Sequence, residues 1–355
     1  MSRIRRIRRK KPRTGSVWKK LLLWGVLGLL VLAAAAVAGS YLYVRAYLKS
    51  DGFLAMLEQS AVDDMNVETA RIDPLDWDGS GIRCGGVVME GHEFLTSLQA
   101  RNIETEFSRW ELLKRAFVIT SVNIAELKLH LAPVSFRFRE KPEGPRSWAE
   151  ENILPDTFRL EKGSIDSLSV SYGEAGRLYV LDGARVESAY DAGSSQYRFD
   201  VRGGKLLLPF QGCPEFSLMS GTAQFNHSSR RVNIPSCRLT TDAGGYLDIK
   251  GDWDGSSSSW TANVVVNGVP VSSILEDHWR KHVHGSVSGG IDLRGGRDGV
   301  THVAGLARLQ GGMLTGLPVL DRLALFCGSS RFRNLPLHEA SAQFVYQESA
   351  WHISN

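Results

Sequence analysis

The sequence predicts a mainly β protein, with one N-terminal transmembrane helix followed by a long antiparallel sheet and a few short helices. Three observations predict it. Leu21 to Val44 is a run of 24 residues without a charge. Beyond it, apolar residues mostly recur at every second position, the period of a strand with one apolar side. Paired glycines and Asp-Gly steps separate these runs, as tight turns separate the strands of a meander.

The N-terminus comes first. As a helix the charge-free run is about 36 Å long, at roughly 1.5 Å per residue, enough to cross a hydrocarbon core of roughly 30 Å. Trp18 and Trp24 lie near one end and Tyr41, Tyr43 and Tyr47 near the other, where amphipathic rings favour the interface. Ten of the first 20 residues are Lys or Arg and none is acidic. That excess places residues 1–20 in the cytoplasm as a basic tail and the body outside. Ala36-Val37-Ala38 has the small-x-small pattern of a cleavage site, but the apolar run is longer than a signal-peptide core, so an uncleaved anchor is expected. The paired arginines lack the rest of a twin-arginine signal.

The formal net charge is +4, yet without the tail the chain carries 32 basic and 38 acidic residues. The high pI therefore belongs to the tail. A nucleic-acid-binding body would show a basic face of its own, and no nucleic-acid partner is expected.

Two further regions follow the anchor, residues 45–140 and 146–355, divided by the Pro-rich stretch Lys141 to Pro145. In the first, Asp51 is expected to cap a short helix whose apolar residues are Phe53, Leu54, Leu57 and Ala61. From about Val67 the period becomes two. Val122 and Ile124 alternate with polar neighbours; the pattern slips by one to Leu127, Leu129 and Leu131, then again to Val134, Phe136 and Phe138, as bulges or strand breaks would make it. Arg109 to Ala116 has helical composition.

In the second region the alternation returns in Leu168/Val170/Tyr172, Leu178/Val180, Tyr197/Phe199/Val201, Leu247/Ile249, Ile291/Leu293 and Phe344/Tyr346. Val271 to His282 is expected to be helical, with Ser273 as N-cap and Glu276 as its capping-box partner. Such a sheet either closes its apolar faces on each other or leaves a concavity that needs a ligand.

No catalytic constellation is present: no G-x-S-x-G, P-loop, dinucleotide fingerprint or H-E-x-x-H. Asp277, His278, His282 and His284 are the best metal candidates, since His278 and His282 are four apart on one helix face. No third ligand can be identified elsewhere, and histidine is electrostatically welcome at a helix C-terminus, so a surface helix end is the preferred reading. Asp63-Asp64 and Glu150-Glu151 are neighbours that do not converge on one site. Cys84, Cys213, Cys237 and Cys327 form no CxxC pair; Cys213 and Cys237 are the nearest in sequence, and spacing alone does not establish a disulfide. Neither an enzyme nor a bound cofactor or metal is expected.

The order of features resembles the AsmA-like family, relatives of TamB and of the bridge-like lipid transfer proteins. Tyr47 to Phe53 with the short helix after it resembles that family's helix just outside the membrane. Ser108 to Leu131 resembles its helix-then-strand unit, and Leu154 to Tyr172 the strand-turn-strand that follows. Val269 to Leu293 and Val303 to Leu325 resemble the later region where a sheet resumes around small helices. The likeness covers most of residues 45–355 by sum rather than by a diagnostic motif. Phe344 to Ile353 reads as strand, and Asn355 comes without the closing strands such proteins usually have, as in a short member or a fragment.

The resemblance implies a curved, taco-like β-groove anchored in the inner membrane and standing in the periplasm. It implies that the groove binds or conducts phospholipid between membranes in support of outer-membrane homeostasis. The alternative is a structural or assembly factor that holds outer-membrane proteins by strand addition at a sheet edge. Leu127, Leu129, Leu131, Leu168, Val170, Phe199 and Ile249 are the residues expected to line the groove, unless they pack a closed β core, which predicts the same alternation.

Overall fold

A computed structural model describes residue 46 and residues 50–77, 81–91, 94–108, 116–133, 157–174, 176–209, 213–226, 229–275, 277–296, 299–347 and 350–354. The basic tail, the charge-free run, residues 109–115 of the expected RWELLKRA helix, the Val134 to Phe138 alternation and the Pro-rich stretch lie outside them. Among the described residues, no helix is long and apolar enough to cross a membrane.

The chain enters the described body through helix α1 (Asp51–Met65). Its cap is Ser50 rather than the expected Asp51: the Ser50 Oγ accepts the Phe53 N–H at 3.3 Å, leaving Asp51 in the first turn, where a negative charge suits the helix dipole. Asn66 ends the helix in the left-handed region at φ 52°. The chain then turns back into β1 (Thr69–Ile72), and the Glu58 carboxylate of α1 accepts the Ile72 N–H at 2.9 Å. A strand edge that would present a bare donor is thus answered by a helix.

All 18 strands among the described residues, β1 included, belong to one sheet. β2 (Leu75–Trp77) continues β1 along the flank of β3 (Gly81–Glu90), followed by β4 (Leu95–Phe107) and β5 (Ala116–Leu131). β6 (Thr157–Leu160) and β7 (Lys162–Glu174) lie end to end beside β5. Then come β8 (Arg177–Asp191), with β9 (Gln196–Arg202) and β10 (Lys205–Leu207) sharing the next rank, and β11 (Phe216–Asn226). β12 (Arg231–Thr241), β13 (Tyr246–Asp254), β14 (Ser259–Pro270), β15 (Val283–Gly296), β16 (Gly299–Thr315), β17 (Asn334–Gln347) and β18 (Ala350–Ser354) follow in sequence order. At about 4.8 Å per strand, these about fifteen ranks extend roughly 65–70 Å along the sheet.

The sheet is mixed, which corrects the expected antiparallel meander. β5 runs parallel to β6 and β7, with Ile124 beside Ile165 and Leu129 beside Val170. Antiparallel neighbours need only a hairpin, whereas a parallel neighbour needs a return across the sheet. The Pro-rich stretch expected to divide two regions lies in the sequence between β5 and β6. The strands on either side of it are hydrogen-bonded to each other.

The first slip in the alternating pattern is a step inside one strand rather than a break, and the second begins where β5 ends at Leu131. Val122 to Leu131 lies in the single strand β5. The apolar residues step by three instead of two from Cys84 to Val87, Ile103 to Ala100, Ile124 to Leu127 and Ile165 to Leu168, and these four steps lie side by side across β3, β4, β5 and β7. Asn102 supplies the left-handed residue of that line at φ 51°, and the Cys84 thiol donates to the Gly86 carbonyl at 3.2 Å beside it.

Helices are few and sit at strand ends. The helix expected over Val271 to His282 is a 3-10 turn at Val271–Ser273 and a short α2 (Asp277–Arg280). The Ser273 hydroxyl donates back to the Pro270 carbonyl at 2.7 Å, which closes the turn instead of capping a helix; Glu276 lies outside the described residues. α3 (Pro318–Cys327), between β16 and β17, opens with proline at its start and stops at Gly328, φ 62°.

Candidate functional site

Cross-strand partners share a face, so the register shows what the sheet presents on either side. One row of partners runs through every rank: Leu75, Cys84, Ile103, Ile124, Ile165, Val186, Val201, Gly221, Cys237, Ile249, Val264, Ile291, Gly305, Phe344 and Ile353. No polar side chain except the Cys84 and Cys237 thiols interrupts it. A second row, Met89, Leu98, Leu129, Val170, Leu181, Leu206 and Phe216, lies on the same face. A third joins Val87, Ala100, Leu127, Leu168 and Ala184.

The adjacent positions point the other way and are polar. Arg83, Glu104, Asn123, Ser164, Glu187, Asp200 and Thr222 form the row next to the first, one residue along each strand. Their face carries ion pairs and amide bridges: Arg101–Glu126 at 3.2 Å, Arg238–Asp248 at 2.7 Å, Arg231–Asp254 at 3.2 Å and Asn263–Asp292 at 2.8 Å. The Arg198 guanidinium holds the Asp200 carboxyl below the usual range, as Arg238 does for Asp248. These groups are exposed, so water screens them and they stabilise little; their consequence is a wet face. A shallow cavity of about 400 Å³ beside Asn123, Lys162, Ser164, Glu187 and Asp200 belongs to it.

The apolar face is open rather than packed. Leu127, Leu129, Leu131, Leu168, Val170, Phe199 and Ile249 all lie on it, and all are partly exposed. Among the described residues no large side chain is fully buried, and the core cluster consists of Phe216, Leu218 and Leu239 with partly buried neighbours. A sandwich of this length would bury residues along both inner faces. Towards β18 the face is still more open, with Trp351 58% and Ile353 74% exposed.

Aromatic rings and glycines shape its relief. Phe344 lies over its cross-strand partner Gly305, and Trp260 over Gly295; a Cβ at either glycine would collide with the ring. Gly289 on the same face allows β16 to approach, since a Cβ there would strike the Leu306 carbonyl.

The other candidate residues have local roles. The His282 Nδ1 lies 2.8 Å from the Thr315 carbonyl oxygen and the His284 Nε2 3.2 Å from the Thr315 hydroxyl, so both rings join the ends of neighbouring strands. His278 lies in α2, its ring 5.0 Å from that of Trp279. All four cysteines are free thiols. Cys213 and Cys237 both pack against the Phe216 cluster, and burial pushes both thiols up.

The sequence reading named seven residues of this face and missed most of its longest row. Ile103, Val186, Val201 and Val264 share the alternation of those it named, but only the register aligns them. Comparison of the chain with protein-family models, with curated proteins and with solved structures finds no match.

Proposed function

We propose that this chain is an inner-membrane-anchored periplasmic β-groove protein that binds or conducts phospholipid between membranes, in keeping with its resemblance to the AsmA-like family. The observation that carries the proposal is the unbroken apolar row from Leu75 to Ile353 on a face that the described body leaves open.

The physical problem is the acyl chain. Exposing it to water costs about 0.8 kcal/mol per CH₂, so a sixteen-carbon chain costs on the order of 12 kcal/mol. A ligand spread along an apolar face recovers much of that without catalysis or nucleotide hydrolysis. A continuous row also offers each next position at nearly the same energy as the last, as movement along a face requires. The charged opposite face keeps the sheet soluble, and headgroups stay at the groove mouth in water. The charge-free run Leu21 to Val44 would hold the base in the inner membrane, with α1 as the first element outside.

Mass spectrometry of lipid retained by the purified chain tests the proposal. Phospholipid near one or more molecules per chain, above a mock purification, is the expected result. A folded, monomeric, lipid-free protein would overturn it.

A further inference from the structure

Helix α3 exposes large apolar residues on both sides of its outward-facing Arg322. Leu320 and Ala324 are buried, yet the residues that flank Arg322 on the opposite surface are apolar: Val319 is 66% exposed, Leu325 75% and Phe326 91%. Val319, Leu323 and Phe326 fall at i, i+4 and i+7, one stripe of the helix. An ordinary surface helix carries several charges on its outward face, and here Arg322 is the one cation there. The segment from Gly316 to Arg333 instead has three arginines, Arg322, Arg331 and Arg333, against the single acid Asp321, which pairs with Arg333 at 3.6 Å. Phe332 is exposed beside them.

The rim around α3 is stiff and similar in kind. The Thr315 N–H donates to the His282 carbonyl at 2.9 Å, and its hydroxyl donates to the Lys281 carbonyl at 3.0 Å, tying the loop after β14 to the loop after β16. That neighbouring loop exposes Ile274 and Trp279, with Arg280 and Lys281 next to them. An apolar stripe, a tryptophan and a surplus of arginine and lysine are what an anionic bilayer surface recognises. The rings and leucines enter the boundary between headgroups and acyl chains, and the cations meet phosphate.

We infer that α3 is a membrane-docking element: Val319, Leu325 and Phe326 insert into an anionic lipid surface, with Arg322 and Arg331 on its headgroups. The inference takes its purpose from the groove reading, because it would set the open apolar face against a bilayer. Its test does not depend on lipid in the groove.

Cys327 supplies the probe, as the exposed one of the four thiols and the neighbour of Phe326. The full chain, held in nanodiscs through its anchor, is labelled at Cys327 with an environment-sensitive fluorophore and mixed with vesicles of phosphatidylethanolamine and phosphatidylglycerol. The expected result is a blue shift, quenching by nitroxide-labelled lipid, and vesicle capture that weakens with salt. L325D/F326D should weaken capture about tenfold or more, and R322E/R331E should weaken it less and only for anionic vesicles. Both double variants should unfold at the wild-type temperature, since they change outward-facing groups. Unchanged emission with vesicles would overturn the inference. So would a blue shift that needs no vesicles and grows with protein concentration, which would make the occupant a second copy of the chain. Retained groove lipid with no vesicle capture would reject this inference and leave the proposed function standing; capture without groove lipid would do the reverse.

Discussion

Two rows of side chains lie one residue apart on the same strands and meet different surroundings. Ile103, Ile124, Ile165 and Val186 form part of one; Glu104, Asn123, Ser164 and Glu187 form part of the other. The polar row is what any antiparallel sheet shows to water. The apolar row is what such a sheet normally buries, and here only Leu75, Cys84 and Val186 of it are buried while its other members, Ile103, Ile124 and Ile165 among them, stay partly or fully exposed. Under the proposed function the difference would put lipid on a face rather than in a pocket, and the residues of that face would be separable by experiment from those that hold the fold.

A charge on the open face should break that comparison most sharply. Leu129→Asp places a carboxylate in the second apolar row, and retained lipid should fall about tenfold, equivalent to about 1.4 kcal/mol of binding. Lys128→Asp, its neighbour on the wet face, should leave lipid unchanged. Equal losses would mean that the faces do not differ in role.

Stability measurements sharpen the same contrast. Leu239 belongs to the one packed cluster and is 3% exposed, so Leu239→Ala should cost about 3 kcal/mol in denaturant unfolding. Leu129→Ala removes the same atoms from a face without a cover and should cost about 1 kcal/mol. If the two costs match, something buries Leu129.

Much of this was legible in the sequence. Period two with glycine turns gave the sheet, and the seven groove candidates came from it onto a single face. Three things were hidden. The pairing of β5 with β7 is parallel, and alternation carries no strand direction. The slip from Ile124 to Leu127 left a bulge and a strand break both open, because both shift the pattern identically; only the register keeps it inside β5, beside the step from Ile165 to Leu168. The open face was hidden for a third reason: Leu168 packed in a sandwich and Leu168 left open have the same neighbours in sequence.

Smaller effects are expected on the wet face. Arg238→Ala removes the pair with Asp248 and the contact with the Tyr246 ring, 4.6 Å from the guanidinium carbon. Exposed ion pairs are screened, so the unfolding midpoint should move less than for Leu129→Ala, with lipid retention unaltered.

The smallest is a titration. At the β13–β14 turn the Ser256 hydroxyl, then its backbone N–H, then the Ser257 N–H and the Arg231 charge hold the Asp254 carboxyl down to about 2. A carboxyl lowered on folding adds stability that is present above its unfolded pKa of about 4 and is lost as pH falls through about 2. NMR should find Asp254 titrating below its exposed neighbours, and Ser256→Ala should raise it. No change with Ser256→Ala would remove that hydroxyl as the cause.

Site-specific photo-crosslinking in the full-length chain tests the central claim most directly. A photoreactive amino acid is placed at Leu129, Phe199 or Ile249 on the apolar face, and at Lys128, Arg198 or Lys250 one residue away on the polar face. The account predicts phospholipid adducts from the first three positions and few from the second. Adducts from neither set, or from both equally, would contradict it.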